Sequence, residues 1–168
     1  MSFVCSCCGK IHDGLPALTL LRPDHWLSLT ADQQAEGKCG DDLCKTPDGH
    51  FFVRCVLSIP LIDGPEQTLE FGPWCSLSEE NFYRYVETFD DADQSKLGQM
   101  FGWFSNELSG FPQSLNLKCN VVPQDGRKRP RIELQPTEHP LSIAQRSGLA
   151  WQTALEIAHG HVGDGWAH

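Results

Sequence analysis

Two cysteines three positions apart, Cys5 and Cys8, stand in the run Val4-Cys5-Ser6-Cys7-Cys8-Gly9-Lys10-Ile11-His12. A Cys-x-x-Cys pair closed by glycine is the shape of a zinc knuckle. The turn aims two thiolates at one point, and Gly9 lets the backbone N–H groups face the sulfurs. Two ligands do not complete a tetrahedron, so the rest of the chain must supply more. His12 is the nearest candidate, followed by Cys39 and Cys44. With both distant cysteines the site has four thiolates; with His12 and Cys44 it is Cys3His. Cys7, between the first two ligands, is expected to point away from the ion.

The other cysteines read differently. Eight cysteines in 168 residues raise the question of compartment. No run approaches the roughly 20 apolar residues of a membrane span. The N-terminus has neither the charged nor the apolar region of a signal peptide. The expectation is a cytoplasmic protein whose cysteines are thiols or metal ligands and not a disulfide framework. Cys55, Cys75 and Cys119 lie singly in apolar runs and read as small core residues.

Along the chain, Thr30 and Gln33 have the spacing of a capping box, predicting a short helix that ends at Gly37 or Gly40. Residues 50–62 alternate: Phe51, Val53, Cys55, Leu57 and Ile59 share an apolar face, as a one-sided antiparallel strand requires. Asp63-Gly64-Pro65 turns the chain, and residues 67–77 return as a partner strand with a bulge or free edge at Pro73. Ser78 caps a helix whose stripe is Phe82, Tyr85, Val86 and Phe89. Three more strands are expected over 100–108, 115–122 and 131–135. The last two are joined by an Asp125-Gly126 turn. Pro140 opens a helical segment, Gly148 interrupts it, and 149–158 forms the last helix. The sum is an α+β fold: an antiparallel sheet of hairpins with helices on one face and an N-terminal zinc-knuckle-like site. One domain, 1–168, is expected, with a metal-pinned lobe of residues 1–49 packed on a core of 50–168.

A net charge of −9 argues against broad binding to phosphate backbones and permits a basic protein partner. The one basic cluster, Arg127 to Arg131, sits at a hairpin tip, where charges are usually solvated. His159, His161 and His168 fall in a glycine-rich tail whose default reading is a frayed end. A binding or interaction protein is favoured over an enzyme, since a closed ligand set leaves no open coordination position. The alternative is a metal- or thiol-dependent enzyme using Cys44, Asp42 and His12, with His50 and His139 as further candidate bases.

Several motifs occur together: Phe3-x-Cys5-x-x-Cys8-Gly9-x-x-His12, Asp42-Leu43-Cys44, Phe51-Phe52-Val53-Arg54, Trp74-x-Ser76-Leu77-Ser78 and His139-Pro140-Leu141. In this combination the chain resembles, from end to end, the bacterial family called domain of unknown function 2199. The resemblance implies a metal set of Cys5, Cys8, His12 and Cys44, the Cys3His site; the knuckle itself makes zinc the expected cofactor. It implies no activity.

Overall fold

The structure, a computed structural model, describes residues 1–163 and Trp166. The fold is α+β, with mostly antiparallel sheets and five helices among the described residues. The strands are β1 (Ser2–Val4), β2 (Ile11–Asp13), β3 (Leu18–Thr19), β4 (Lys38–Cys39), β5 (Leu43–Lys45), β6 (Phe51–Arg54), β7 (Leu57–Pro60), β8 (Thr68–Gly72), β9 (Trp74–Leu77), β10 (Met100–Phe104), β11 (Lys118–Val122) and β12 (Arg131–Leu134). The helices are α1 (Asp24–Ser28), α2 (Ala31–Glu36), α3 (Glu79–Glu87), α4 (Pro140–Ser147) and α5 (Trp151–Val162).

Seven strands form the main sheet in the order β12-β11-β10-β9-β6-β5-β4. Three form a second sheet, β3-β8-β7, and β1-β2 is a separate two-stranded ribbon. The long hairpin expected over 50–77 exists, but it is divided between sheets. Its base, β6 with β9, lies in the main sheet; its tip, β7 with β8, lies in the second. The division falls where pairing cannot continue straight: Pro73 has no N–H to offer. Its carbonyl instead accepts from Cys55 N–H at 2.8 Å, and Val56 N–H turns to Pro130 O at 2.9 Å. The expected apolar face is buried from Val53 to Ile59, all four residues at 0% exposure. Phe52 and Arg54, expected on the opposite face, are buried as well, because the base of the hairpin is covered on both sides.

The start of α2 carries the expected capping box: Gln33 N–H donates to Thr30 Oγ1 at 3.2 Å, and Thr30 N–H donates to Gln33 Oε1 at 2.9 Å. Ser78 caps α3 through Asn81 N–H, and the helix buries Phe82 and Tyr85. His139 precedes Pro140 as the cap of α4; its Nδ1 accepts from Leu141 N–H at 3.0 Å, and its Nε2–H donates to Pro112 O at 2.9 Å. Both ring nitrogens are thus engaged in holding the chain, which leaves no free base there.

Residues 1–49 give β3 to the second sheet and β4 and β5 to the main one, so residue 49 lies in the turn between neighbouring strands. At the centre of β10, Gly102 passes close to the next strand. A Cβ there would sit 2.7 Å from Ser76 O and 3.1 Å from Val121 Cγ2. Because one of these atoms is backbone, Gly102→Ala is expected to cost about 1–3 kcal/mol by overpacking. Urea unfolding checks this, and an unchanged midpoint would contradict it.

Candidate metal centre

The ribbon β1-β2 is closed by the knuckle itself. Gly9 has φ +73°, a conformation that side chains with a Cβ rarely adopt. Gly9 N–H donates to Cys5 O and Cys5 N–H to Lys10 O, both at 2.8 Å. This tight turn projects Cys5 and Cys8 to one side. His12, paired with Phe3 in the register, follows on β2.

The helix α5 then brings a residue from the far end of the chain. His159 Nε2 lies 3.0 Å from Cys5 Sγ, across 154 positions of sequence. Cys8 Sγ and His12 Nε2 are 3.2 Å apart. The ligand atoms of Cys5, Cys8, His12 and His159 all fall within 4.8 Å of one another, so this group can hold a metal ion. A zinc tetrahedron with S and N ligands has edges of roughly 3.3–3.8 Å, close to these separations.

The surroundings fix the ligands. Cys5 and His12 are each 1% exposed. The His12 ring stacks on Trp166 with centroids 4.0 Å apart, and His159 lies against the same indole at 4.7 Å. Phe3 meets Trp151 edge-on at 4.9 Å, joining the ribbon to the start of α5. Burial raises the Cys5 thiol, but hydrogen bonding to His159 and to the Cys7 and Cys8 backbone outweighs it and brings its pKa down to about 6. A metal ligand needs that thiolate form. Cys7 is exposed and turned outward, where its sulfur accepts from Gln152 Nε2 at 3.7 Å.

Cys44, expected as the fourth ligand, lies instead in β5. The β4-β5 register sets Cys39 directly opposite Cys44, and the two are joined by a disulfide. This corrects the expectation of a chain without disulfides: antiparallel register made neighbours of two cysteines that spacing alone had left as possible ligands. Cys44 packs with Phe52 and Trp74, whereas Cys5 belongs to the main core. Asp42 pairs with Arg129 at 2.8 Å. Cys44, Asp42 and His12 therefore do not assemble into one site. Cys55, Cys75 and Cys119 are fully buried free thiols, as small core residues should be. The basic cluster is tied down: Arg129 to Asp42, Arg131 to Glu133, and Arg127 to Asp90 O.

A frayed tail is the sequence expectation for His159, yet it lies in the last turn of α5. A sequence signal was present. His159 follows Leu155 by four, on the flank of the buried stripe Ala154, Leu155 and Ala158. His161 likewise holds the helix to β3, with Nε2 3.0 Å from Thr19 O. His168 lies outside the described residues.

Fold and site together define a small α+β protein with a partly buried cluster of two thiols and two imidazoles at its N-terminal ribbon, Cys5 and His12 inside and Cys8 exposed. The chain belongs to a family of uncharacterised proteins conserved in bacteria, DUF2199, whose model matches residues 4–149. His159 lies just beyond the matched stretch. No curated protein and no solved structure matches the chain. Among the described residues, no helix is long and apolar enough to cross a membrane.

Proposed function

We propose that Cys5, Cys8, His12 and His159 hold one structural zinc ion, and that the protein is a cytoplasmic binding protein and not an enzyme at this site. The support is the convergence of four soft and borderline ligand atoms from segments 154 positions apart. Two thiolates with two imidazoles suit zinc, and four protein ligands leave no position for a substrate. Zinc at this point clamps a three-residue-per-strand ribbon to the last helix. Six of the eight cysteines are free thiols, which favours a reducing compartment despite the one Cys39–Cys44 disulfide. Partner recognition falls to the clamped ribbon, whose outer face exposes the cross-strand pair Val4 and Ile11.

The test is elemental analysis of protein purified without chelator. About one zinc per chain is expected. His159→Ala should lose it, whereas Cys44→Ser should retain it. Zinc-free wild type, or a His159→Ala protein that keeps its full zinc content, would overturn the proposal.

A further inference from the structure

A second group of ligating side chains lies elsewhere, on the turn between β5 and β6 and on α1. Thr46 and Gly49 close that turn: Thr46 N–H donates to His50 O at 3.0 Å, and Gly49 N–H donates to Thr46 O at 3.2 Å. His50 N–H also donates to Thr46 Oγ1 at 3.0 Å. Asp48 and His50 therefore leave a rigid loop on the same side. Opposite them, α1 is pinned by Asp24. Its two carboxylate oxygens accept from Asn106 Nδ2 at 3.1 Å and from Glu107 N–H at 2.8 Å. That anchoring presents His25 to the turn. His25 Nε2 lies 2.8 Å and His50 Nε2 3.7 Å from the same oxygen, Oδ2 of Asp48. The two imidazoles sit 4.3 Å apart, edge to face.

His25 and His50 also line a cavity of about 740 Å³. Phe52, Trp103 and Leu115 give it apolar walls, and Ser76, Ser105 and Asn116 add hydroxyl and amide groups. A cavity of this size suits a small organic ligand.

We infer that His25, Asp48 and His50 form a second, open site for a divalent transition metal, whose remaining coordination positions face this cavity. Two histidines and one carboxylate leave positions free, unlike the four-ligand cluster at the ribbon. One ligating carboxylate leaves a divalent ion a net positive charge, and the Asp24 carboxylate that also lines the cavity is engaged by Asn106 Nδ2 and Glu107 N–H. The site therefore takes an anionic oxygen donor, such as a small carboxylate whose apolar body rests against Phe52 and Trp103. This site is independent of the zinc proposed above.

The two sites are separable with cobalt(II), titrated into protein stripped of metal with a chelator. Cobalt on thiolates gives strong sulfur-to-metal charge-transfer absorption; cobalt on imidazole and carboxylate gives only weak ligand-field bands. A second equivalent is expected to add weak bands with no charge transfer. His50→Ala and Asp48→Asn, both on an exposed turn, should weaken this uptake by at least roughly 100-fold, the upper end of what losing even an outer-sphere partner costs. The charge-transfer signal should be unchanged in both. Sodium azide should shift the weak bands alone, as an anion entering an open position. Absence of weak-band uptake in the wild type would overturn the inference. So would uptake unaltered by His50→Ala, or weak bands that ignore azide. Loss of the charge-transfer signal alone would instead count against the ribbon site.

Discussion

Chelating the zinc proposed for the ribbon is expected to loosen both ends of the chain together and leave the main sheet intact. The ribbon β1-β2 has three residues per strand and pairs with no other strand. Such a two-stranded ribbon is at best marginally stable alone. Among its ties to the rest of the molecule are the Phe3–Trp151 contact, the stack of His12 on Trp166, the hydrogen bonds of Ser6 and Cys7 to Gln152, and the ligand cluster itself. Without the ion, only those aromatic contacts and the exposed hydrogen bonds to Gln152 supplement the ribbon's own packing. Hydrogen exchange should therefore rise over residues 2–13 and the last turns of α5. It should stay low over β4 and β5, which the main sheet holds on its own account. In finger peptides, zinc supplies on the order of 10 kcal/mol of folding free energy. Here a separate core survives. A loss of about half that value is expected, which lowers the melting temperature by roughly 10–20 °C at this chain length. Unchanged exchange in both segments after verified metal loss would rule out a structural role.

How far this was legible in the sequence differs between local and distant features. The capping box at Thr30, the cap at Ser78 and Pro140 at the start of α4 are decided within a few residues, and they stand where expected. The alternation over 50–62 marked Val53, Cys55, Leu57 and Ile59 for burial but missed Phe52 and Arg54. It did not show that the chain changes sheets at Cys55 and Val56, because that depends on hydrogen bonds to Pro73 and Pro130 far along the chain. The ligand cluster divides in the same way. Cys5, Cys8 and His12 lie within one turn and ribbon, so spacing alone places them together. The choice between Cys44 and His159 is set by sheet register and by the docking of α5, neither of which local spacing records. The site at His25, Asp48 and His50 was out of reach for the same reason: α1 is set beside the turn by the bonds of Asp24 to Asn106 and Glu107, distant in sequence.

Trp74→Ala is expected to be among the most damaging single substitutions in the main sheet. Trp74 is 0% exposed and packs with Phe52 and Cys44. Truncating a buried indole costs about 3–5 kcal/mol from lost transfer energy and the cavity left behind. Two polar consequences add to this. The indole Nε1–H donates to Leu20 O at 2.9 Å, and that carbonyl would lose its partner. The ring also faces the buried Arg54 guanidinium at 5.7 Å. Burial already lowers the Arg54 pKa, and Arg54 Nε is the one buried side-chain nitrogen or oxygen without a hydrogen bond among the described residues. Removing the indole withdraws a favourable aromatic face from a charge that has few alternatives. Trp74→Phe keeps a ring and most of the volume, so it should cost less, about 1–3 kcal/mol, chiefly the orphaned Leu20 carbonyl. Denaturant unfolding separates the two, and a Trp74→Ala cost below about 1 kcal/mol would contradict the packing described. The effect should reach the second metal site as well. Trp26 of α1 packs against this same cluster, and Asn106, which anchors Asp24, accepts from Trp74 N–H at 2.8 Å. A cavity beneath α1 should let His25 drift from Asp48 and His50. Cobalt uptake there should weaken in Trp74→Ala while the thiolate charge-transfer signal at the ribbon is unmoved.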